Sequence, residues 1–188
     1  MYVVENDFKY KGYRCVVIFT DMGYRCGYVG VPLGHTLYKK GYTDYLDIPK
    51  SELDNEEIGD RGVLPTFFAA FDDDDRVRLD LWFNVHGSLT YSGEGNYPVE
   101  SNLWWLGFDC GHYRDGKDLD LVEKYWGDNP RIQKKLEIER EFCVDYYPIR
   151  SVGYVEGQCT SLVNQIIALE CRERVVQNEE IKAKGYIL

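Results

Sequence analysis

The chain has 188 residues, 44% of them hydrophobic and 29% charged, with 22 basic against 32 acidic residues and a net charge of −10. That length predicts one domain able to fold without a disulfide or metal staple, and no apolar run approaches the roughly 18 residues of a membrane span. The acidic balance argues against a phosphate-tracking nucleic-acid binder, and the start, MYVVENDFKYKGYR, has no signal-peptide core.

The elements follow in chain order. GYRCVVIF (Gly12–Phe19) and GYRCGYVGV (Gly23–Val31) read as strands, joined in a hairpin whose turn centres on Asp21-Met22. In that register Cys15 faces Tyr28 and Cys26 faces Val17, which argues against a disulfide. The first strand is apolar on both faces apart from Arg14, which predicts a central position in its sheet. Val31–Lys50 is broken by Pro and Gly and reads as a loop, and Ser51–Ile58 as a short acidic helix capped by Ser51. LPTFFAAF, then DDDD, then RVRLDLWFNVHG reads as strand, acidic turn, strand, with Leu79–Val85 in the main sheet. SLTYSG ends that strand or starts another, Glu94–Asn102 is a loop, and Trp104–Asp109 is a strand.

Helices dominate the remainder. Asp118 is placed as the N-cap of a helix to Trp126, and Pro130 as the first residue of another behind Asn129. Val155, Cys159, Leu162, Val163, Ile166 and Ile167 form one apolar stripe on a helix over Val155–Glu170. Strands early and helices late predict an α+β single domain over 1–188, an antiparallel sheet backed by a C-terminal amphipathic helix. An acidic insertion spans about 44–80, and the C-terminal helical part about 118–188.

Six cysteines (15, 26, 110, 143, 159 and 171) show neither CxxC nor CxxxH spacing, so no zinc finger is expected. A reducing, cytoplasmic compartment would keep them as small hydrophobes. The charge is uneven. Asp44–Asp80 holds twelve acids against four bases, Lys50, Arg61, Arg76 and Arg78. Such a block attracts basic surfaces, or serves only as a solvated loop. The cluster Arg131–Lys135 is followed by Glu137, Glu139 and Glu141, a mixed-charge helix.

One stretch concentrates reactive side chains. His86 ends a predicted strand, and Asp109, Cys110 and His112 end another (WWLGFDCGHYRDGKDLD, Trp104–Asp120). Two imidazoles and a carboxylate converging at one sheet end suit a transition metal, or general acid–base catalysis. Cys110 beside a histidine suits a nucleophile if its thiolate is stabilised. The alternative is local structure: a strand, a Gly-rich turn at Asp115-Gly116, and a helix cap, with Cys110 in the core. No P-loop, GxSxG, HExxH, GxGxxG or EF-hand pattern is present.

GYRC, GYVGV, HGSLTYSG and WWLGFDCGH, in this order, resemble a family of small proteins found in phages, plasmids and other mobile elements of Firmicutes. The likeness covers roughly Tyr13 to Asp118 plus the helix near Cys159, and Ser88 stands where the family pattern has Gly. The resemblance implies a counter-defence protein of the host bacterial cytosol, similar to anti-CRISPR inhibitors of Cas9. Effectors of that kind hold nucleic acid in positively charged channels. On this reading Glu56, Glu57 and Asp72, Asp73, Asp74 and Asp75 contact Lys and Arg of a nuclease, with no cofactor, no sequence-specific nucleic-acid binding and no membrane. The alternative is a small metal-dependent or His/Asp acid–base enzyme built on His86, Asp109 and His112.

Overall fold

The computed structural model describes residues 1–53, 67, 71–142 and 147–183, the last seven by backbone alone. Its strands are Tyr2–Tyr10 (β1), Tyr13–Thr20 (β2), Arg25–Val31 (β3), Tyr45–Pro49 (β4), Arg76–Arg78 (β5), Tyr91–Gly95 (β6) and Ser101–Asp109 (β7). Its helices are Leu79–Trp82 (α1), Leu119–Trp126 (α2), Pro130–Phe142 (α3) and Val152–Ala183 (α4). The main sheet is antiparallel in the order β1-β2-β3-β7-β6, and β4 pairs with β5 in a separate ribbon. The architecture is α+β with the C-terminal helix across the sheet.

β2 is buried on both faces, as its unbroken apolar run requires. Cys15 and Val17 meet the α4 stripe of Val155, Cys159, Leu162, Val163, Ile166 and Leu169, while Ile167 is only partly buried. Each fully buried aliphatic side chain contributes about 1.5–3 kcal/mol. Val16 and Ile18 face the other way, with Cys26, Tyr28 and Trp105, under a cover of Tyr91, Tyr97, Val99 and Leu103. Phe19 closes a third cluster with Val122, Ile132 and Leu136 of α2 and α3. Asp118 caps α2, its Oδ1 accepting from the Leu121 N–H at 3.1 Å. Asn129 accepts from the Arg131 N–H ahead of α3.

Four expectations are corrected. The β2–β3 turn is a three-residue loop: the Thr20 N–H bonds to the Tyr24 carbonyl, the Gly23 N–H to the Thr20 carbonyl, and Gly23 sits at φ +90°. Glycine takes that left-handed position without strain. The odd loop length shifts the register by one, so Cys15 lies opposite Val29 and Cys26 opposite Ile18. The two cysteines occupy opposite faces of the sheet, and no disulfide joins them.

Leu79–Val85 is not a strand. Its alternating Leu79, Leu81, Phe83 and Val85 are all buried, but on one helical turn and an extended strap over α4. Side-chain amides of α4 serve the strap's backbone in place of a neighbouring strand. Gln165 bonds both the N–H and the carbonyl of Asn84, and Gln158 accepts from the His86 N–H. The N-terminus, unassigned from sequence, is edge strand β1, and the loop assigned to Val31–Lys50 contains β4. Ser51 lies inside a 3₁₀ turn, Lys50–Glu52, rather than capping a helix. The rest of Ser51–Ile58 and most of the strand expected at Leu64–Phe71 lie outside the described residues.

Candidate functional site

The strap and the β7–α2 connection meet at one end of the sheet. His86 follows the strap, and the next two residues, Gly87 and Ser88, both have positive φ (+67° and +83°). A Cβ on Gly87 would overlap the His112 ring, so glycine there lets the two loops touch. Ser88, the departure from the resembled pattern, occupies a conformation that glycine adopts without strain. Its hydroxyl donates to the Asp80 carbonyl.

Asp115 is the hub. Its carboxylate is 3% exposed. Oδ2 accepts from His86 Nε2 at 2.7 Å and from the His112 N–H at 3.1 Å, and Oδ1 accepts from Arg150 Nε at 2.8 Å. Burial alone would push this carboxyl up. The His86 and Arg150 hydrogen bonds outweigh that and hold it below the usual carboxylate range. His86 Nδ1 lies 3.0 Å from the Tyr154 hydroxyl, so both of its ring nitrogens are engaged. The His86 and His112 rings meet edge-on at 5.5 Å. One donor atom each from His86, His112 and Asp115 lie within 4.8 Å of one another.

A belt of buried charge continues from this hub. Arg25, 8% exposed at its side chain, holds Glu5 through Nε at 2.7 Å and Nη2 at 3.0 Å. Its Nη1 donates to the Arg150 carbonyl at 3.0 Å and lies 3.5 Å from Asp118 Oδ2.

The sequence-derived candidates separate. His86 and His112 come together. Asp109 accepts from Thr90 Oγ1 and the Gly111 N–H, both at 2.9 Å, and stands 3.9 Å from His112 Nδ1. The carboxylate between the imidazoles belongs to Asp115, which the sequence offered as turn chemistry. The HxxD spacing of His112 and Asp115 was its available signal; nothing local marked Arg150 or Tyr154. Cys110 is in the core, and burial, followed by the Asp115 charge, pushes its thiol far up, away from the thiolate that a nucleophile needs. A cleft of about 400 Å³ between α2 and α3, lined by Glu123, Gln133, Leu136 and Arg140 among others, contains none of these candidates.

The acidic candidates divide similarly. Glu56 and Glu57 lie outside the described residues. Asp72 accepts from the Tyr45 hydroxyl at 2.6 Å, and Asp74 forms a two-pronged pair with Arg76 at 3.1 and 2.8 Å. Hydrogen bonds from Arg76 hold the Asp74 carboxyl at about 2. Asp73 and Asp75 are exposed, as is Asp47 on β4.

Compared with models of known families, with curated proteins and with solved structures, the chain matches none.

Proposed function

We propose that the chain is a binding protein, a counter-defence inhibitor similar to anti-CRISPR proteins. It docks an acidic face on the basic, nucleic-acid-binding surface of a host nuclease such as Cas9. The observation that supports this is the charge of the β4–β5 ribbon. Its three bases are already engaged: Lys50 with Asp72 at 3.8 Å, Arg76 with Asp74 at 2.8 Å, and Arg78 with Asp80. Asp47, Asp73 and Asp75 form no ion pair among the described residues, although the Asp47 charge also acts on Arg76. What the ribbon offers a partner is therefore unneutralised carboxylate, which suits a Lys- and Arg-lined groove.

A second reading, a His/Asp acid–base or metal-dependent enzyme, draws on the meeting of His86 and His112. For metal-free chemistry its difficulty is access: both His86 nitrogens and both Asp115 oxygens are bonded within the protein, and the unpartnered His112 Nδ1 is shielded from solvent.

The test is cleavage of target DNA by a Cas9-type nuclease with rising amounts of the chain. The Asp47→Asn/Asp73→Asn/Asp75→Asn variant is expected to raise the half-inhibitory amount at least about tenfold and to flatten its salt dependence. His112→Gln should inhibit like the parent. No inhibition by the parent, or full potency in the Asn variant, overturns the proposal.

A further inference from the structure

We infer that His86, His112 and Asp115 form a binding site for a zinc-class divalent ion, with His86 Nε2, His112 Nδ1 and one Asp115 oxygen as ligands. This is independent of the acidic ribbon and of what the ribbon binds.

The first support is an unmet hydrogen bond. The His112 Nδ1 atom is shielded from solvent and has no partner among the described residues. A nitrogen so placed is costly unless something occupies its lone pair. Its nearest carboxylate oxygens are Asp115 Oδ2 at 3.8 Å and Asp109 Oδ1 at 3.9 Å, both too far for a hydrogen bond.

The second is spacing. Ligands about 2.1 Å from a tetrahedral zinc lie roughly 3.4 Å apart. His112 Nδ1 and Asp115 Oδ2, 3.8 Å apart, are near that separation already. His86 Nε2 and Asp115 Oδ2, now 2.7 Å apart, need to open by roughly 0.7 Å. The His112 side chain is 35% exposed, so the site lies close to the surface.

The third is the surrounding support. Metal-bound imidazoles and carboxylates are held by outer hydrogen bonds. Here His86 Nδ1 has the Tyr154 hydroxyl, and Asp115 Oδ1 has Arg150. The hydroxyl suits both states of the ring. Without metal, His86 Nε2–H donates to Asp115 and Nδ1 accepts from Tyr154. With metal, Nε2 loses its proton and coordinates while Nδ1 takes one up from solvent, so the ring stays neutral and Nδ1–H donates to the same hydroxyl oxygen. Two imidazoles among three ligands select zinc, cobalt or iron over magnesium and calcium.

The experiment uses the full chain carrying Cys171→Ser, which removes an exposed thiol, after treatment with a chelator. Titration with Zn²⁺ by calorimetry should give one ion per chain. Co²⁺ should give the visible bands of a tetrahedral site, and Mg²⁺ no heat. In imidazole NMR spectra the signals of two of the chain's three histidines should move on zinc addition, while that of His35 stays. His112→Gln should weaken binding at least about 100-fold, Arg150→Lys roughly tenfold, and Asp109→Asn by less than about threefold. The NMR arm needs no variant, so a misfolded mutant cannot mask the answer. Absence of one-to-one binding, movement of His35 alone, or undiminished affinity in His112→Gln overturns the site.

Discussion

The belt at the sheet end and the β4–β5 ribbon are both rich in charge, yet they use it in opposite ways. In the belt, Glu5, Arg25, Asp115 and Arg150 meet across segments far apart in sequence, and the Arg25, Glu5 and Asp115 side chains are at most 10% exposed. Buried charges of this kind are tolerable only when each has its partner. On the ribbon the pairs are Asp74 with Arg76 two residues on, Lys50 with Asp72, and Arg78 with the buried Asp80, and the carboxylates of Asp47, Asp73 and Asp75 face water. Such charges contribute little to folding and stay available to a partner. A count of acids along the chain does not distinguish the two; burial does.

The most severe way to break this contrast is Arg25→Ala. It leaves Glu5 and Asp118 without their guanidinium and is expected to cost about 3–5 kcal/mol in urea unfolding. Arg25→Met combined with Glu5→Gln removes both charges of the main pair and should recover much of that loss. A cost under about 1 kcal/mol for Arg25→Ala would mean that the belt is not held by its charges. Leu162→Ala probes the apolar scaffold that carries the belt. Leu162 is fully buried where α4 crosses the sheet, and its truncation should cost about 2–5 kcal/mol by the same measurement. An effect no larger than that of an exposed substitution would detach α4 from the core.

How much of this was legible depended on the range of the interaction. β2, β3, the C-terminal part of β7 from Trp104 to Asp109, the caps Asp118 and Asn129, and the α4 stripe follow from local pattern, and each lies where the sequence placed it. Leu79–Val85 misled because alternation records burial on one side, not a strand partner; Gln158 and Gln165, some 80 residues on, supply the hydrogen bonds that a strand would. The meeting of His86 with His112 was inferred from two strand ends, although the strap that delivers His86 is no strand. Asp115 was hidden by its turn context. Arg25, Arg150 and Tyr154 join through tertiary folding alone.

A pH scan sharpens the contrast with a smaller effect. His35 is 4% exposed at its side chain, its Nδ1 accepting from the Leu37 N–H and its Nε2 near Glu170 at 3.0 Å and the Tyr13 hydroxyl at 3.2 Å. Burial lowers its pKa from the ordinary 6.5, and the charges of Glu170 and Glu173 offset this only in part. The unfolded chain therefore takes up a proton near pH 6.5 while the folded chain resists it. This contribution to stability is whole above pH 6.5 and declines as the pH falls through that value toward the lower folded pKa. His35→Asn keeps an acceptor for Leu37 but cannot titrate. The stability gap between parent and variant should narrow from pH 7.5 to pH 5.5. A constant gap would show that His35 does not resist protonation in the fold.

The smallest expected change is on the ribbon, and its smallness is the point. Asp73→Asn with Asp75→Asn alters two exposed carboxylates that lack basic partners among the described residues. Each backbone role is kept; the Asp75 carbonyl still accepts from the Lys50 N–H at 2.7 Å. The unfolding midpoint should move by less than about 2 °C, since surface substitutions of this kind rarely exceed half a kilocalorie per mole. Removing like charge from an acidic segment raises stability slightly at low salt, and that gain should vanish as salt screens the field. A clear loss of stability would mean that these carboxylates hold the ribbon together, and would remove the grounds for treating them as a surface kept free for a partner.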